Sequence, residues 1–155
     1  MWKKNIVLMP VIFALAASPL CAATVSFLVI EANPPREITA SQHSIMWENS
    51  LMDVFFESGH IVTNSPILRL GHVPDDGFPA EAERDLELAK EGGMEYFLLA
   101  IIRHPAPHNV SLRLFRTDSR EMLLEHQYTD MTYRTSKEEN DAIKNSVAVM
   151  AARLR

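Results

Sequence analysis

The sequence predicts an α/β (mixed α+β) fold in which about three helices pack on a single mixed sheet, in the order β-α-β-α-β-β-β-α. Three observations support this prediction. Two short apolar runs, residues 25–30 and 96–102, have the composition of buried central strands. Three segments with helical spacing follow cap-like residues, and two alternating segments flank a turn-like tetrapeptide at residues 117–120. Strands that first alternate with helices and then follow one another favour a sheet with both parallel and antiparallel pairs.

The first half of the domain contains one long predicted helix between two strands. Thr39 and Gln42 fit a capping box, and the helix runs from there to Ser58, before Gly59 as a left-handed cap. Its predicted buried stripe is Trp47, Leu51, Val54 and Phe55, widened by Ile45, Met52 and Phe56. Residues 60–64 form the second predicted strand. Residues 67–70 either continue that strand after Pro66 or belong to a loop, and the sequence does not decide between the two.

The second half contains a second predicted helix, an apolar strand, a hairpin and a closing helix. A helix begins near Pro79 and ends at Gly92 and Gly93, ahead of the strand at residues 96–102. In the hairpin of residues 110–115 and 122–128, one face is apolar and the other, with Ser111 and Arg113, is expected to be wetter. A second capping box, residues 136–139, begins an amphipathic helix. Its apolar positions are Ile143, Val147, Met150 and Leu154.

The first 23 residues have the pattern of a secretory signal peptide. Lys3 and Lys4 precede an apolar run of about a dozen residues, and small residues precede a cleavage point after Ala23. The run is shorter than the roughly 20 residues that span a membrane, so retention as an anchor is disfavoured. Lipidation of Cys21 is a minority alternative, because Leu20 stands where a small residue is expected. We therefore expect a signal peptide at residues 1–23, a single α/β domain at residues 24–155, and a periplasmic or secreted location.

Composition excludes several classes of protein. A net charge of −5 without a basic block argues against nucleic-acid binding. A single cysteine cannot form an internal disulfide, and 47% hydrophobic residues are too many for a disordered tail. No second apolar segment long enough to cross a membrane follows residue 23, so we expect no integral span in the mature chain.

The histidines do not form a metal motif in the sequence. His104 and His108 are four residues apart, but Pro105 and Pro107 forbid the helix that would place them on one face, so both are interpreted as exposed loop residues. The other four histidines are scattered and are interpreted as surface or partly packed residues: His43, His60, His72 and His126. A calcium loop centred on Gly77 fails, because His72 occupies the position that requires a carboxylate.

Catalytic and cofactor-binding motifs are also missing from the sequence. It has no nucleophile elbow, no Walker sequence and no dinucleotide-binding glycine motif, and Glu138 and Glu139 are explained by their place in a helix first turn. We therefore expect no cofactor and no enzymatic activity. An enzyme whose residues converge only in space remains the alternative, as a small-ligand binding module or hydrolase that uses the loops at residues 67–78 and 103–109.

Four arginines are the candidate partner-contact residues: Arg103, Arg113, Arg116 and Arg120. They surround the predicted hairpin and could contact an acidic or phosphate-bearing partner, since guanidinium groups pair bidentately with such groups. The alternative, and the favoured one, is a solvated polar face of the sheet. The helix that carries Trp47 is interpreted as buried rather than as a docking face.

The order of elements resembles small periplasmic domains of the TolB amino-terminal, LpoB and CsgG type. The resemblance is carried by residues 26–30, 59–62, 89–99 and 110–125. Within them Gly93-Met94-Glu95-Tyr96 is similar to the Gly-Ala-Asp-Tyr element of these families. Asp118 matches the aspartate of their Asp-x-x-x-Gly turn, although the glycine is missing here.

The resemblance implies an envelope accessory role without a catalytic site. The chain lacks the propeller of TolB, the clear lipid anchor of LpoB and the pore-forming insertions of CsgG. Our leading interpretation is therefore a secreted, periplasmic, non-enzymatic adaptor that binds another envelope protein. A pure assembly subunit is a third interpretation, after the ligand-binding alternative. The sequence identifies neither the partner nor the oligomeric state.

Overall fold

A computed structural model describes residues 22–36, 40–75, 77–105 and 108–154 of the chain. Of the predicted signal peptide, only Ala22 and Ala23 are among these residues, and Cys21 lies outside them. The cap predicted at Thr39 also lies outside the described residues.

The described residues form one six-stranded sheet and three α-helices, which confirms the predicted fold class. In chain order the elements are β1 (Thr24–Ala32), α1 (Gln42–Glu57), β2 (Ile61–Asn64), β3 (Leu68–Leu70), α2 (Glu83–Glu91), β4 (Tyr96–Arg103), β5 (His108–Arg116), β6 (Met122–Met131) and α3 (Ser136–Ala151). Short 3₁₀ turns precede α2 at Ala80–Ala82 and follow α3 at Ala152–Leu154. The undecided residues 67–70 thus include a short strand of their own, Leu68–Leu70, which is separated from β2 by Ser65, Pro66 and Ile67.

The sheet has the strand order β2-β1-β4-β5-β6, and β3 extends the β2 edge by pairing with the end of β1. β1 is parallel to β2, β3 and β4, whereas β4, β5 and β6 form an antiparallel meander. The connection from β1 through α1 leads to β2, on one side of β1 in the sheet. The connection from β3 through α2 leads to β4, on the other side of β1. Right-handed crossovers in opposite directions place α1 and α2 on opposite faces of the sheet. The ends of β1 and β4 therefore form a switch point, where open α/β sheets have a crevice.

Two apolar cores lie on the two faces of the sheet. The larger one contains alternate residues of β1, β4 and β5 under α1 and α3, with Trp47, Leu51 and Phe55 fully buried. The smaller one lies under α2 and the loop before it, where Leu86 and Ala89 pack on Leu28, Ile30 and Leu99. Burial of both faces explains why β1 and β4 read as continuous apolar runs.

The predicted buried stripe of α1 is confirmed, but two of the three residues predicted to widen it are not buried. Trp47, Leu51, Val54 and Phe55 are buried, whereas Ile45 and Phe56 are exposed, Phe56 by 72%. The core covers only one side of α1, so the residues at the margin of the stripe remain in solvent. The helix begins after Ser41, whose hydroxyl accepts a hydrogen bond from the Ser44 amide at 3.2 Å, and Gly59 has the predicted left-handed φ of 85°.

The closing helix is confirmed with its cap one residue earlier than predicted. Thr135 is the N-cap and accepts from the Glu138 amide at 3.2 Å, while the Glu138 carboxylate accepts from the Arg134 amide at 3.1 Å. Glu138 therefore has the capping role, and Glu139 is free for a different contact described below. Ile143, Val147 and Met150 are buried as predicted.

Candidate functional site

The four predicted contact arginines occupy two different places. Arg103 and Arg113 line a polar hollow of about 200 Å³ at one face of the sheet. Arg116 and Arg120 lie at the turn between β5 and β6 and are about half exposed. The sequence suggested one cluster of four arginines, whereas the fold places them as two separate pairs.

Arg113 is buried, contrary to the expected wet face of the hairpin. Its side chain is 2% exposed and donates to the Glu125 carboxylate at 2.8 Å, to the Gly77 carbonyl at 2.9 Å, and to the Asp75 carbonyl. Ser111 beside it is also buried and donates to Glu125 at 3.1 Å. The loop before α2 folds over this part of β5, which is why polar alternation here does not mean exposure to solvent. The Arg113 guanidinium lowers the pKa of the Glu125 carboxyl below its usual value.

The polar hollow is the place where the two loops of the ligand-binding alternative meet. Arg103 at the end of β4 donates to the Asp75 carboxylate at 3.1 Å, which joins residues 67–78 to residues 103–109. The wall of the hollow also includes Asn109, Ser111 and Gln127. Its small volume and the internal pairing of its arginines leave room only for a small polar molecule.

Arg116 and Arg120 also pair within the chain. Arg116 donates to both Asp118 oxygens, at 3.1 and 3.2 Å, and this interaction lowers the pKa of the Asp118 carboxyl to about 2. Arg120 pairs with Glu83 at 2.8 Å and with Glu87, both of α2. These pairs are solvent-exposed, so the guanidinium groups stay accessible to a partner at little energetic cost.

The outer edge of β6 is unpaired among the described residues. β6 is the last strand of the sheet and is ten residues long. Near its start, Met122 and Leu123 are 48% and 43% exposed. A long edge strand with exposed apolar side chains can accept a strand from another chain. We name β6 with these exposed side chains the β6 edge.

An apolar hollow of about 250 Å³ adjoins the start of the β6 edge. It is lined by Tyr96, Leu114, Leu123, Leu124, Arg153 and Leu154, from β4, β5, β6 and the turn after α3. The β6 edge thus combines free backbone groups, exposed apolar side chains and a shallow apolar cavity. Arg116 pairs across β4 and β5 with Tyr96 and so lies beside the same hollow.

Sequence reasoning missed this edge although a signal was present. The hairpin was predicted to have only one apolar face, so the three consecutive apolar residues Met122 to Leu124 indicated that at least one of them lies on the other face. Only Leu124 packs against the core, and the two before it are exposed.

A polar network occupies the carboxyl end of β1, where Ala32 pairs with Arg103 at the end of β4. The Glu31 carboxylate is fully buried there and accepts hydrogen bonds from the Ser41 amide at 2.6 Å and from Arg69 at 2.7 Å. Burial alone would raise the pKa of Glu31, but hydrogen bonds from Ser44, Ser41 and Arg69 together lower it below the usual value. The network fastens β3 and the start of α1 to β1. A charged residue that ends an apolar strand was the sequence signal for it.

Three histidines lie at the same end of the molecule, which corrects their interpretation as exposed or scattered residues. His104 and His108 are half-buried and contact each other, and His43 is buried against His108. His60 is buried at the opposite end, where its ring accepts from the Ala23 amide and contacts the Ala151 carbonyl. The β4–β5 hairpin brings His104 and His108 together by antiparallel pairing, without the helix that the sequence argument required.

The described part of the chain offers little for catalysis. It contains no group of three His, Cys, Asp or Glu side chains arranged to hold a metal ion. No hydrogen bond in that part joins a serine or threonine hydroxyl to a histidine, the pairing that activates a hydroxyl nucleophile. None of its helices is long and apolar enough to span a membrane.

Solved structures with a similar fold include a point variant of PelC from Paraburkholderia phytofirmans, a dodecamer, at 11% identity and a TM-score of 0.49, covering 86% of this chain and 90% of that one. The lipoprotein GNA1162 from Neisseria meningitidis is 15% identical with a TM-score of 0.47, covering 84% and 99%. The LpoB C-terminal domain from Escherichia coli is 11% identical with a TM-score of 0.46, covering 77% and 90%. Identities and TM-scores this low transfer no function.

Sequence comparison places the chain in a family without assigning an activity. No curated protein sequence matches it significantly. A family model described as "Uncharacterised protein" matches residues 24–144, which is most of the chain. The chain therefore belongs to this family of uncharacterised proteins.

Proposed function

We propose that the chain is a secreted, periplasmic, non-enzymatic accessory protein that binds another cell-envelope protein through the β6 edge. The observation that carries the proposal is the edge itself. The strand is ten residues long, its outer edge has no partner strand in the described part of the chain, and Met122 and Leu123 are exposed beside an apolar hollow. Residues 1–23, with the pattern of a signal peptide, support the location.

The surroundings of the β6 edge indicate the chemistry of the partner segment. An added strand would gain main-chain hydrogen bonds from β6, and an apolar side chain at its alternate positions would fill the hollow. Arg116, Arg120 and Arg153 surround this end of the sheet. They favour a partner segment that is extended, apolar at alternate positions and acidic at its flanks. Of the four arginines first considered, Arg116 and Arg120 are thus the proposed partner contacts.

In vivo crosslinking of a tagged chain followed by mass spectrometry tests the proposal. The wild-type chain should recover a reproducible envelope protein, and L123K should reduce its recovery about tenfold, because a lysine in the apolar hollow would be buried without a counter-charge. The matched control is I61K, which replaces an exposed apolar residue of the opposite edge strand, 56% exposed. Loss of the partner from both variants, or from neither, would contradict docking at β6.

A second candidate function is small-ligand binding in the polar hollow. The specific observation in its favour is the contact between Arg103 and Asp75, which brings the two predicted loops to one cavity of about 200 Å³. Thermal-shift measurements with small carboxylates and phosphates test it. Stabilisation of the wild-type chain that R103A abolishes would support it, while no shift with any of these probes would remove it.

A further inference from the structure

Three histidine rings from three elements form one contiguous cluster at the switch point of the sheet. His43 lies in the first turn of α1, His104 follows β4, and His108 begins β5. The His43 and His108 rings are stacked, with centroids 4.1 Å apart and planes 20° apart. The His104 and His108 rings meet edge to face at 4.7 Å. We call these three residues the histidine cluster.

The contacts of His43 fix its protonation state. Trp47 Nε1 donates to His43 Nε2 at 3.3 Å, and because an indole nitrogen can only donate, Nε2 carries no hydrogen. The hydrogen is therefore on Nδ1, which donates to the Glu139 carboxylate of α3. A second proton on Nε2 would remove the acceptor of the Trp47 bond. Neutral His43 thus joins α1 to α3.

The other two rings each bury a nitrogen without a partner in the described part of the chain. His104 Nε2 and His108 Nδ1 are buried and have no hydrogen-bond partner among the described residues. Burial lowers the pKa of His104, and the neighbouring His108 lowers it further. Glu31 of β1 raises this pKa, whereas Arg69 of β3 lowers it. Burial also lowers the pKa of His43. The hydrogen bond to Glu139 raises that pKa, and the neighbouring His108 and His104 lower it further.

The remaining titratable side chain at the cluster is Tyr133, in the segment before α3. Burial and the nearby Glu139 raise the pKa of its hydroxyl, so it stays neutral in the acidic range. Among the side chains that the structure describes, the charged groups that face the cluster are Glu139, Glu31 and Arg69. Two carboxylates, each already hydrogen-bonded, cannot neutralise three imidazolium rings and a guanidinium group.

A metal centre is not the better explanation of the cluster. Both nitrogens of His43 are engaged, and nearly parallel stacked rings direct their in-plane lone pairs side by side rather than toward one ion. Proton binding needs no such convergence. The contacts between rings instead make each added positive charge unfavourable for the next.

We propose that the histidine cluster is a pH-sensitive latch, which holds α1, the β4–β5 hairpin and the start of α3 together at neutral pH and opens in the acidic range. Histidines whose folded-state pKa is depressed stabilise the fold fully above about pH 6.5. That stability is lost as the pH falls through their lowered values. The positive ends of the α1 and α3 dipoles add to the repulsion, because both helices begin at this cluster.

Opening the latch would alter the surface next to the end of β6. His43, His108 and Glu139 line a hollow of about 300 Å³ together with Met131, Thr132 and Tyr133. Met131 is the last residue of β6, and its Cα pairs with that of His108. The latch does not depend on the proposed function, since it concerns the fold of the chain alone.

Thermal unfolding of the purified chain at pH 7.5 and 5.5 tests the latch. The wild-type Tm should fall by about 5 °C or more, a drop on the order of 1–2 kcal/mol in a domain of this size. The H104Q/H108Q variant, which keeps polar side chains but cannot accept protons, should lose less than half as much. H72Q, which replaces an exposed histidine outside the cluster, is the matched control and should behave as wild type. A flat wild-type profile, or an equally steep one in H104Q/H108Q, would overturn the proposal.

Measurements on the wild-type chain keep the test decisive if that variant does not fold. Nitrogen-15 NMR of the histidine rings should show His43 as the Nδ1–H tautomer at pH 7.5. Amide exchange, corrected for its intrinsic pH dependence, should rise more than tenfold in the first turns of α1 and α3 at pH 5.5. It should not rise at the opposite end, near His60. A doubly protonated His43 at pH 7.5, or exchange that rises equally at both ends, would refute the latch.

Discussion

The two edges of the sheet differ in how much strand they leave free and in what fastens them. At one edge, β2 and β3 are four and three residues long and are separated by Ser65, Pro66 and Ile67. Asn64 donates to Glu48 of α1 at 2.8 Å, and Arg69 pairs with buried Glu31. At the other edge, β6 runs for ten residues with exposed apolar side chains. Short, interrupted strands resist pairing with other chains, so this comparison identifies β6 as the edge available to a partner.

The largest expected effect comes from breaking the buried pair at the β3 edge. R69M leaves the fully buried Glu31 carboxylate without its guanidinium partner, and we expect unfolding in urea to show a loss of about 3–5 kcal/mol. R84M, at an exposed arginine of α2, is the matched control and should stay within about 0.5 kcal/mol of wild type. A loss below about 1 kcal/mol in R69M would show that the β3 edge is not fastened by this pair.

Glu31 also predicts how the β3 edge responds to acid. Its pKa is lowered in the folded state, so its contribution to stability is present above the usual carboxyl pKa of 4.5 and is lost as the pH falls through the lowered value. Stability measured between pH 5 and 3 should therefore decline less steeply in E31Q than in the wild-type chain. Parallel curves for wild type and E31Q would contradict this role.

Breaking the corresponding pair next to β6 should cost less. R113M removes the bonds to Glu125, Gly77 and Asp75, but the Glu125 that remains is 29% exposed and can be solvated. We expect a loss of about 2 kcal/mol in urea unfolding. Faster amide exchange in the loop before α2, with little change in α1, would accompany it. If R113M lost as much unfolding free energy as R69M, solvent exposure of the remaining carboxylate would not be what makes its loss smaller.

The exposed pair at the β5–β6 turn should matter least for stability. R120A removes the interactions with Glu83 and Glu87, and because all three groups are about half exposed we expect almost no change in the free energy of unfolding. The same variant should weaken recovery of the partner if Arg120 contacts it. A crosslinking yield equal to that of wild type would remove Arg120 from the proposed contacts.

The parts of the fold that depend on local patterns were predictable from the sequence. The continuous apolar runs of β1 and β4 reflect burial on both faces of the sheet, whereas the stripe of α1 and the spacing in α3 reflect one helix face packed against it. The burial of Arg113 was not predictable, because it depends on a loop that lies 36 residues away along the chain. The histidine cluster was missed for the same reason, since strand pairing and two helices bring His43, His104, His108 and Glu139 together from distant positions.

Site-specific photo-crosslinking from the two edges tests the central claim most directly. A photoreactive residue is placed at Leu123 on β6 or at Ile61 on β2, both exposed apolar positions, and adducts are compared in living cells. Docking at the β6 edge predicts a discrete adduct with one envelope protein from position 123 and none from position 61. The same adduct from both positions, or an adduct from position 61 alone, would contradict the account.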